Sequence, residues 1–175
     1  TGQFEMVKYL VNQGADIHAS LETPLHSSGE PDGRKAFHLA ARNGHLPVVA
    51  FLIEAGNDPD ELGGSGYTAL MLAAESNFMD LAKELIRLGA DVNTKHSGPG
   101  GYSALRGWTA LVFSINAGLV RMTKFLLDSG ADCYYRVPAG ERWDGKKLPE
   151  RGMLDFIKGK RGESIRKLLV ERGLS

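Results

Sequence analysis

The sequence predicts an all-α fold, a solenoid of stacked antiparallel helix pairs with projecting hairpin loops. Three observations predict it. A helical pattern recurs at a fixed internal length, a glycine closes every copy, and all variation in length falls between the copies. Such self-similarity is the signature of repeat architectures. Alignment on a shared Leu or Phe gives four segments: Phe37 to Gly56, Leu70 to Gly89, Leu111 to Gly130 and Leu154 to Gly173. In each, the Gly lies 19 residues after its apolar partner, and a fifth, incomplete copy ends at Gly14.

Each copy opens with a short apolar helix, as in Phe37-His38-Leu39-Ala40-Ala41 and Leu70-Met71-Leu72-Ala73-Ala74. A break follows at Asn43-Gly44, Ser76-Asn77 and Ala117-Gly118. The second helix is amphipathic: Leu81, Ala82, Leu85 and Ile86 form one face, with Asp80, Lys83 and Arg87 opposite. Pro47 suits the first turn of a second helix, where its missing N–H is not needed. The closing Gly suits a left-handed C-cap, which a Cβ would disfavour. One pair of short helices cannot bury its apolar face alone, so each copy depends on its neighbours.

Several of these segments resemble ankyrin repeats. They are Gly44-His45-Leu46, Gly66-Tyr67-Thr68-Ala69-Leu70-Met71-Leu72-Ala73-Ala74, Gly107-Trp108-Thr109-Ala110-Leu111 and the endings Gly14-Ala15-Asp16, Gly89-Ala90-Asp91-Val92-Asn93 and Gly130-Ala131-Asp132. The interval from Gly33 to Gly66 is 33 residues, the period of that family. The resemblance implies a curved stack with loops along one edge, acting as a protein-binding module without catalysis. The expected organisation is a single domain over 1–175: a partial repeat at 1–18, then repeats at about 33–60, 66–93, 107–133 and 150–175.

The connections carry the individuality of the chain. From each closing Gly to the next aligned residue they measure 23 (14 to 37), 14 (56 to 70), 22 (89 to 111) and 24 (130 to 154). The 14-residue connection is the regular one, so the others are extended fingers at 19–35, 94–108 and 134–152. All seven Phe fall in or beside helices, whereas both Trp and four of five Tyr fall in connections. Tyr and Trp carry a polar tip and are favoured at interfaces. The expected partner-binding residues are therefore Tyr67, Tyr102, Trp108, Tyr134, Tyr135 and Trp143, with Arg34, Arg106 and Arg136 as polar anchors. The competing reading is that such rings fold back to order their own loops. Thr23-Pro24-Leu25-His26 imitates a repeat opening, but Leu25 lies 31 residues before Gly56, so it is assigned to the first finger.

At the start only a second helix survives, through Phe4, Met6, Val7, Leu10 and Val11, and its side chains should be poorly covered. At the end Arg161 replaces the turn Gly, and Lys158, Lys160, Arg166 and Lys167 suit a polar cap. The opening Thr1-Gly2-Gln3-Phe4 has no initiator Met, which reads as an excised or renumbered domain, and no basic-then-apolar leader, so no secretory signal is expected in this stretch.

Composition narrows the function. With 175 residues, 42% apolar and 24% charged, the chain can build a sizeable core. Lys plus Arg and Asp plus Glu both number 21, which argues against nucleic acid as partner. Residues 134–175 hold 11 Lys/Arg against 6 Asp/Glu, a net of +5, and residues 1–133 hold 10 against 15. This asymmetry reads first as a solvated end, with a basic contact patch as the alternative. The longest apolar runs are six residues, Val48 to Ile53 and Ala69 to Ala74, so no segment spans a bilayer. The single Cys133 fits a reducing, cytoplasmic setting.

No catalytic, cofactor or metal site is expected. The histidines at 18, 26, 38, 45 and 96 show no metal-ligand spacing, and His38 and His45 take places where the resembled family carries a structural His. Gly64-x-Gly66-x-x-Ala69 lacks the preceding strand of a dinucleotide fingerprint. Gly98-Pro99-Gly100-Gly101 lacks the Lys-Ser/Thr of a phosphate loop. Cys133 is aligned with His18 and Asn93 as a turn or filler position. The resemblance also marks Asn93 as a candidate for asparaginyl hydroxylation. The expected function is non-catalytic binding of another protein by the concave face and fingers. The alternatives are a regulatory or targeting domain of a larger enzyme or effector, and a self-assembling scaffold.

Overall fold

The structure, a computed structural model, describes residues 2–20, 35–97, 105–141, 147–148, 150–157 and 161–174. The described elements follow one another as helix pairs. α1 (Gly2–Asn12) stands alone; α2 (Ala36–Arg42) pairs with α3 (Leu46–Glu54), α4 (Ala69–Glu75) with α5 (Met79–Arg87), and α6 (Ala110–Asn116) with α7 (Val120–Asp128). Two short strands, β1 (Gly140–Glu141) and β2 (Lys147–Leu148), precede a 3₁₀ turn, Met153–Phe156, and the final α8 (Arg161–Glu171).

The inner row α2, α4, α6 is short and rich in Ala and Leu, which lets the helices approach closely. α4 is buried on every side, from Ala69 to Ala74, because α2 and α6 flank it and α5 backs it. A helix that is apolar all round requires such complete cover. Thr68 starts it, its hydroxyl accepting from the Met71 N–H at 3.2 Å. The outer row is two-faced: Leu81, Ala82 and Leu85 of α5 are buried, while Asp80 and Lys83 face solvent.

The closing glycines behave as their spacing predicts. Gly14, Gly56, Gly89, Gly130 and Gly173 adopt φ between 88° and 112°. The residue after each donates to the carbonyl five positions back, as Ala90 to Leu85 and Ala131 to Leu126, both at 3.0 Å. That is the bond pattern of a left-handed helix stop, which Gly adopts without Cβ strain. The recurrent Asp then turns the chain. Asp16, Asp58, Asp91 and Asp132 each accept from the N–H two residues on, at 2.8–2.9 Å.

Three features depart from expectation. The fourth first-helix is only the 3₁₀ turn Met153–Phe156. Its segment runs into Gly159, a weak helix former, within six residues of Leu154. The third finger contains the β1–β2 pair, with Gly140 opposite Leu148 and Glu141 opposite Lys147. Cys133 aligns with Val92, not Asn93, and like Val92 it is buried; burial pushes its thiol above the ordinary value.

At the first end α1 packs on α3 and leaves Met6, Tyr9 and Leu10 at 58%, 60% and 48% exposure. Ala36 of α2 is exposed and Leu39 half-exposed, whereas their counterparts Ala69 and Leu72, and Ala110 and Phe113, are buried. The resulting cleft of about 400 Å³ is lined by Phe4, Val7, Leu39 and Val48 among others.

Candidate functional site

Two of the fingers branch from the register of the regular connection. In the regular connection the Gly63 N–H donates to the Tyr67 carbonyl at 3.0 Å. In the second finger His96 donates to Trp108 at 2.8 Å, and in the third Val137 donates to Arg151 at 2.8 Å and accepts back at 3.0 Å. The first finger is closed one residue nearer the helices on each side, by a bridge between Ser20 and Lys35. The second and third fingers therefore share the backbone clasp of the regular connection.

Side chains tie these bases together. Glu61 pairs with Lys35, accepts from Asn57 Nδ2 at 3.1 Å, and offers its carbonyl to His38 Nε2 at 2.9 Å. Burial depresses His38 below the ordinary histidine value. A second tie recurs four residues after the closing Gly. Asp60 accepts from the Asp91 N–H at 2.9 Å, and burial raises its carboxyl. Asn93 donates to the Gly130 carbonyl at 3.2 Å and accepts from the Asp132 N–H at 2.8 Å. Tyr134 Oη donates to the Arg172 carbonyl at 2.6 Å. Each reaches into the following repeat, so Asn93, proposed for hydroxylation, is structurally engaged.

The aromatic residues divide in two. Tyr67 and Trp108 are only 7% exposed and join a row of rings across the repeats. Tyr67 lies 4.7 Å from His96 and 5.1 Å from Phe113, and Trp108 lies 5.1 Å from both Phe113 and Phe156. The Arg151 guanidinium covers the end of the row, 4.6 Å from the Phe156 ring. Tyr67 and Trp108 are thus not surface anchors; their rings fold back to seat the finger bases, because that buries far more apolar area than projection would. His96, placed in a loop by the sequence, lies inside this row, and burial lowers its pKa to about 4.

The remaining candidates differ. Tyr134 is 64% exposed, Arg106 and Arg136 are exposed, and Tyr135 is half-buried with its hydroxyl pKa raised by burial. Arg136 Nε pairs with Glu150 at 2.8 Å. Lys95, not singled out in the sequence, places its ammonium 4.4 Å from the Tyr135 ring centroid. Arg34, Tyr102, Trp143 and the imitation motif at 23–26 lie outside the described residues. His45 is exposed at the start of α3 and makes no side-chain cap. Among the described residues no group of three or more His, Cys, Asp and Glu could hold a metal ion, and no helix is long and apolar enough to cross a membrane.

Comparison with known proteins agrees with this architecture. A family model described as ankyrin repeats, in three copies, matches residues 1–96 and 37–137. Ankyrin repeat and SAM domain-containing protein 6 of Rattus norvegicus is 33% identical over 129 residues, 72% of this chain and 14% of its own length. Protein phosphatase 1 regulatory subunit 27 of Homo sapiens is 38% identical over 61 residues, 35% of this chain and 40% of its own. Probable E3 ubiquitin-protein ligase XBOS33 of Oryza sativa subsp. japonica is 34% identical over 90 residues, 51% of this chain and 16% of its own. The chain spans less than half the length of each of these relatives. As a group such proteins are generally non-catalytic, although one of the three is named as a ligase.

Proposed function

The chain belongs to the ankyrin-repeat family, whose repeats are protein-interaction modules, and we propose on that footing that it holds another protein against its concave face and finger edge. It acts without catalysis, whether as an adaptor or as the targeting part of a larger protein. The observation that carries this reading is the clasp shared by the second and third fingers, at His96/Trp108 and Val137/Arg151. Clasps backed by a buried ring row fix the exposed residues Arg106, Tyr134 and Arg136 before a partner arrives. Prior ordering lowers the entropy lost on binding. The lone buried thiol of Cys133 fits a cytoplasmic setting.

The test is capture from extract by the intact domain against a variant in which residues 98–104 are replaced by a tight turn. That boundary spares His96 and Trp108. Loss of a specific captured protein with an unchanged melting temperature supports the reading. Identical capture by both proteins contradicts it.

A second reading is self-association through the first end, favoured by Met6, Tyr9 and Leu10 beside the 400 Å³ cleft. Sedimentation at several concentrations tests it. A concentration-independent monomer mass rules it out.

A further inference from the structure

The charges of the chain separate along the stack. Residues 94–175 hold 15 Lys/Arg against 8 Asp/Glu, a net of +7, and residues 1–93 hold 6 against 13, a net of −7. Successive repeats pack in chain order, and the described residues hold 5 Lys/Arg against 10 Asp/Glu up to residue 93 and 11 against 7 beyond it, so the asymmetry is also one in space, with an acidic end and a basic end. The overall net charge of zero conceals it. The second finger is the plainest case: residues 94–108 contain Lys95 and Arg106 and no carboxylate.

The bases of the second and third fingers also meet in one surface. Gly107 has φ 80°, and a Cβ there would stand 2.8 Å from Pro138 Cδ and 3.0 Å from the Tyr135 hydroxyl. Lys95 crosses from the second finger to the Tyr135 ring of the third. Lys95 and Arg106 are exposed, and neither forms an ion pair with another described residue. The partner of Arg136, Glu150, is itself 54% exposed. Such an exposed pair is weak and exchanges readily with an incoming carboxylate.

We propose that this joint face, built from Lys95, Arg106 and Tyr135 with Arg136 next to it in the chain, receives an acidic segment of the partner protein. The proposal rests on the reading that the fingers hold a protein, and it adds the chemistry of what they hold. Carboxylates meet the three cations, and the Tyr135 ring accepts apolar contact beside them. The basic half also steers an acidic partner to the correct end of the stack. A nucleic acid fits less well. Carboxylates at Glu141, Asp144 and Glu150 interrupt the cations of the third finger, and Asp128 already engages Lys124 and Arg172. A polyphosphate strand gains most from an unbroken cationic track.

Fluorescence anisotropy with three labelled probes tests this: a Glu/Gly peptide, a Lys/Gly peptide of equal length, and a short single-stranded DNA. The Glu/Gly peptide should bind best, and its affinity should fall between about 50 mM and about 300 mM sodium chloride. The triple variant Lys95→Gln/Arg106→Gln/Arg136→Gln should weaken it about tenfold, the combined effect of three exposed charge contacts. The triple variant Lys8→Gln/Arg42→Gln/Lys83→Gln, which removes cations of the acidic half, should leave it unchanged. Arg106→Gln alone perturbs no described ion pair and should give a measurable part of the loss even if the triple variant folds poorly. Equal binding of the Glu/Gly and Lys/Gly peptides, tighter binding of DNA, or equal losses from both triple variants would overturn the proposal. Those failures leave protein binding by the fingers standing, since capture by the intact and finger-trimmed domains tests that separately.

Discussion

Replacing Trp108 with Ala separates a seat in the core from a contact with a partner. The ring is 7% exposed and lies between Phe113 and Phe156, each with its centroid 5.1 Å away. Truncating a buried Trp costs about 3–5 kcal/mol through lost burial and the cavity left behind. One part is returned: Trp108 Nε1 is buried with no acceptor among the described residues, so its removal relieves about 1–2 kcal/mol of unmet hydrogen bonding. The expected net loss is about 2–3 kcal/mol, a large share of the 5–15 kcal/mol that holds an ordinary domain folded. At a urea dependence of about 2 kcal/mol per molar, the midpoint should fall by about 1 M. Urea titration followed by far-ultraviolet circular dichroism reads this directly. Tyr134→Ala is the reference. Its ring is 64% exposed and it surrenders one hydrogen bond to the Arg172 carbonyl, so the cost should stay near 1 kcal/mol. A Trp108→Ala midpoint within about 0.2 M of the parent, with capture lost, would refute the assignment and return the ring to the interface.

Other expectations follow the same physics. Stability should fall as pH drops from about 6.5 toward about 4. In that window a free histidine protonates whereas buried His96 remains neutral, so the unfolded chain binds more protons; the loss from His96 is at most about 3 kcal/mol, read from thermal midpoints across pH. His38, depressed by burial too, should add to the same trend. Asn93→Ala removes the bonds to Gly130 and Asp132 and should cost about 1–3 kcal/mol in a denaturant titration, whereas an exposed surface Asn would cost almost nothing. Gly107→Ala combines a positive φ with a Cβ pressed on Pro138 and Tyr135, and should lower stability by about 1–3 kcal/mol while increasing proteolysis near the second and third fingers.

The helical framework was legible because its determinants are local. A closing Gly needs a left-handed backbone wherever it stands, and an Asp two residues later turns the chain by bonding its own backbone. Both recur in register, the Gly in five copies and the Asp in four, and each recurrence reports the same geometry. The ring row was less legible because residue type and register point in opposite directions. A polar tip assigns Tyr67 and Trp108 to the surface. Yet both follow a Gly and precede Thr-Ala-Leu, in Gly66-Tyr67-Thr68-Ala69-Leu70 and Gly107-Trp108-Thr109-Ala110-Leu111. An aromatic ring at the same place in two adjacent copies belongs to the fold, and that register was the signal for burial. Arg151 holds the same register before Leu154, which explains why it covers the end of the row. His96 could not be placed from sequence, because its burial depends on rings contributed by neighbouring copies. The contact between Gly107 and Pro138 was hidden for the same reason: it joins two fingers that are distant along the chain.

Site-specific photo-cross-linking tests the finger edge as the place where a partner sits. A benzophenone side chain would be placed singly at positions 106, 134 and 124, all exposed, with 124 on the outer helix α7 away from the fingers. Covalent adducts with the captured partner from positions 106 and 134, and none from 124, are the expected result. Adducts from 124 alone would contradict the account.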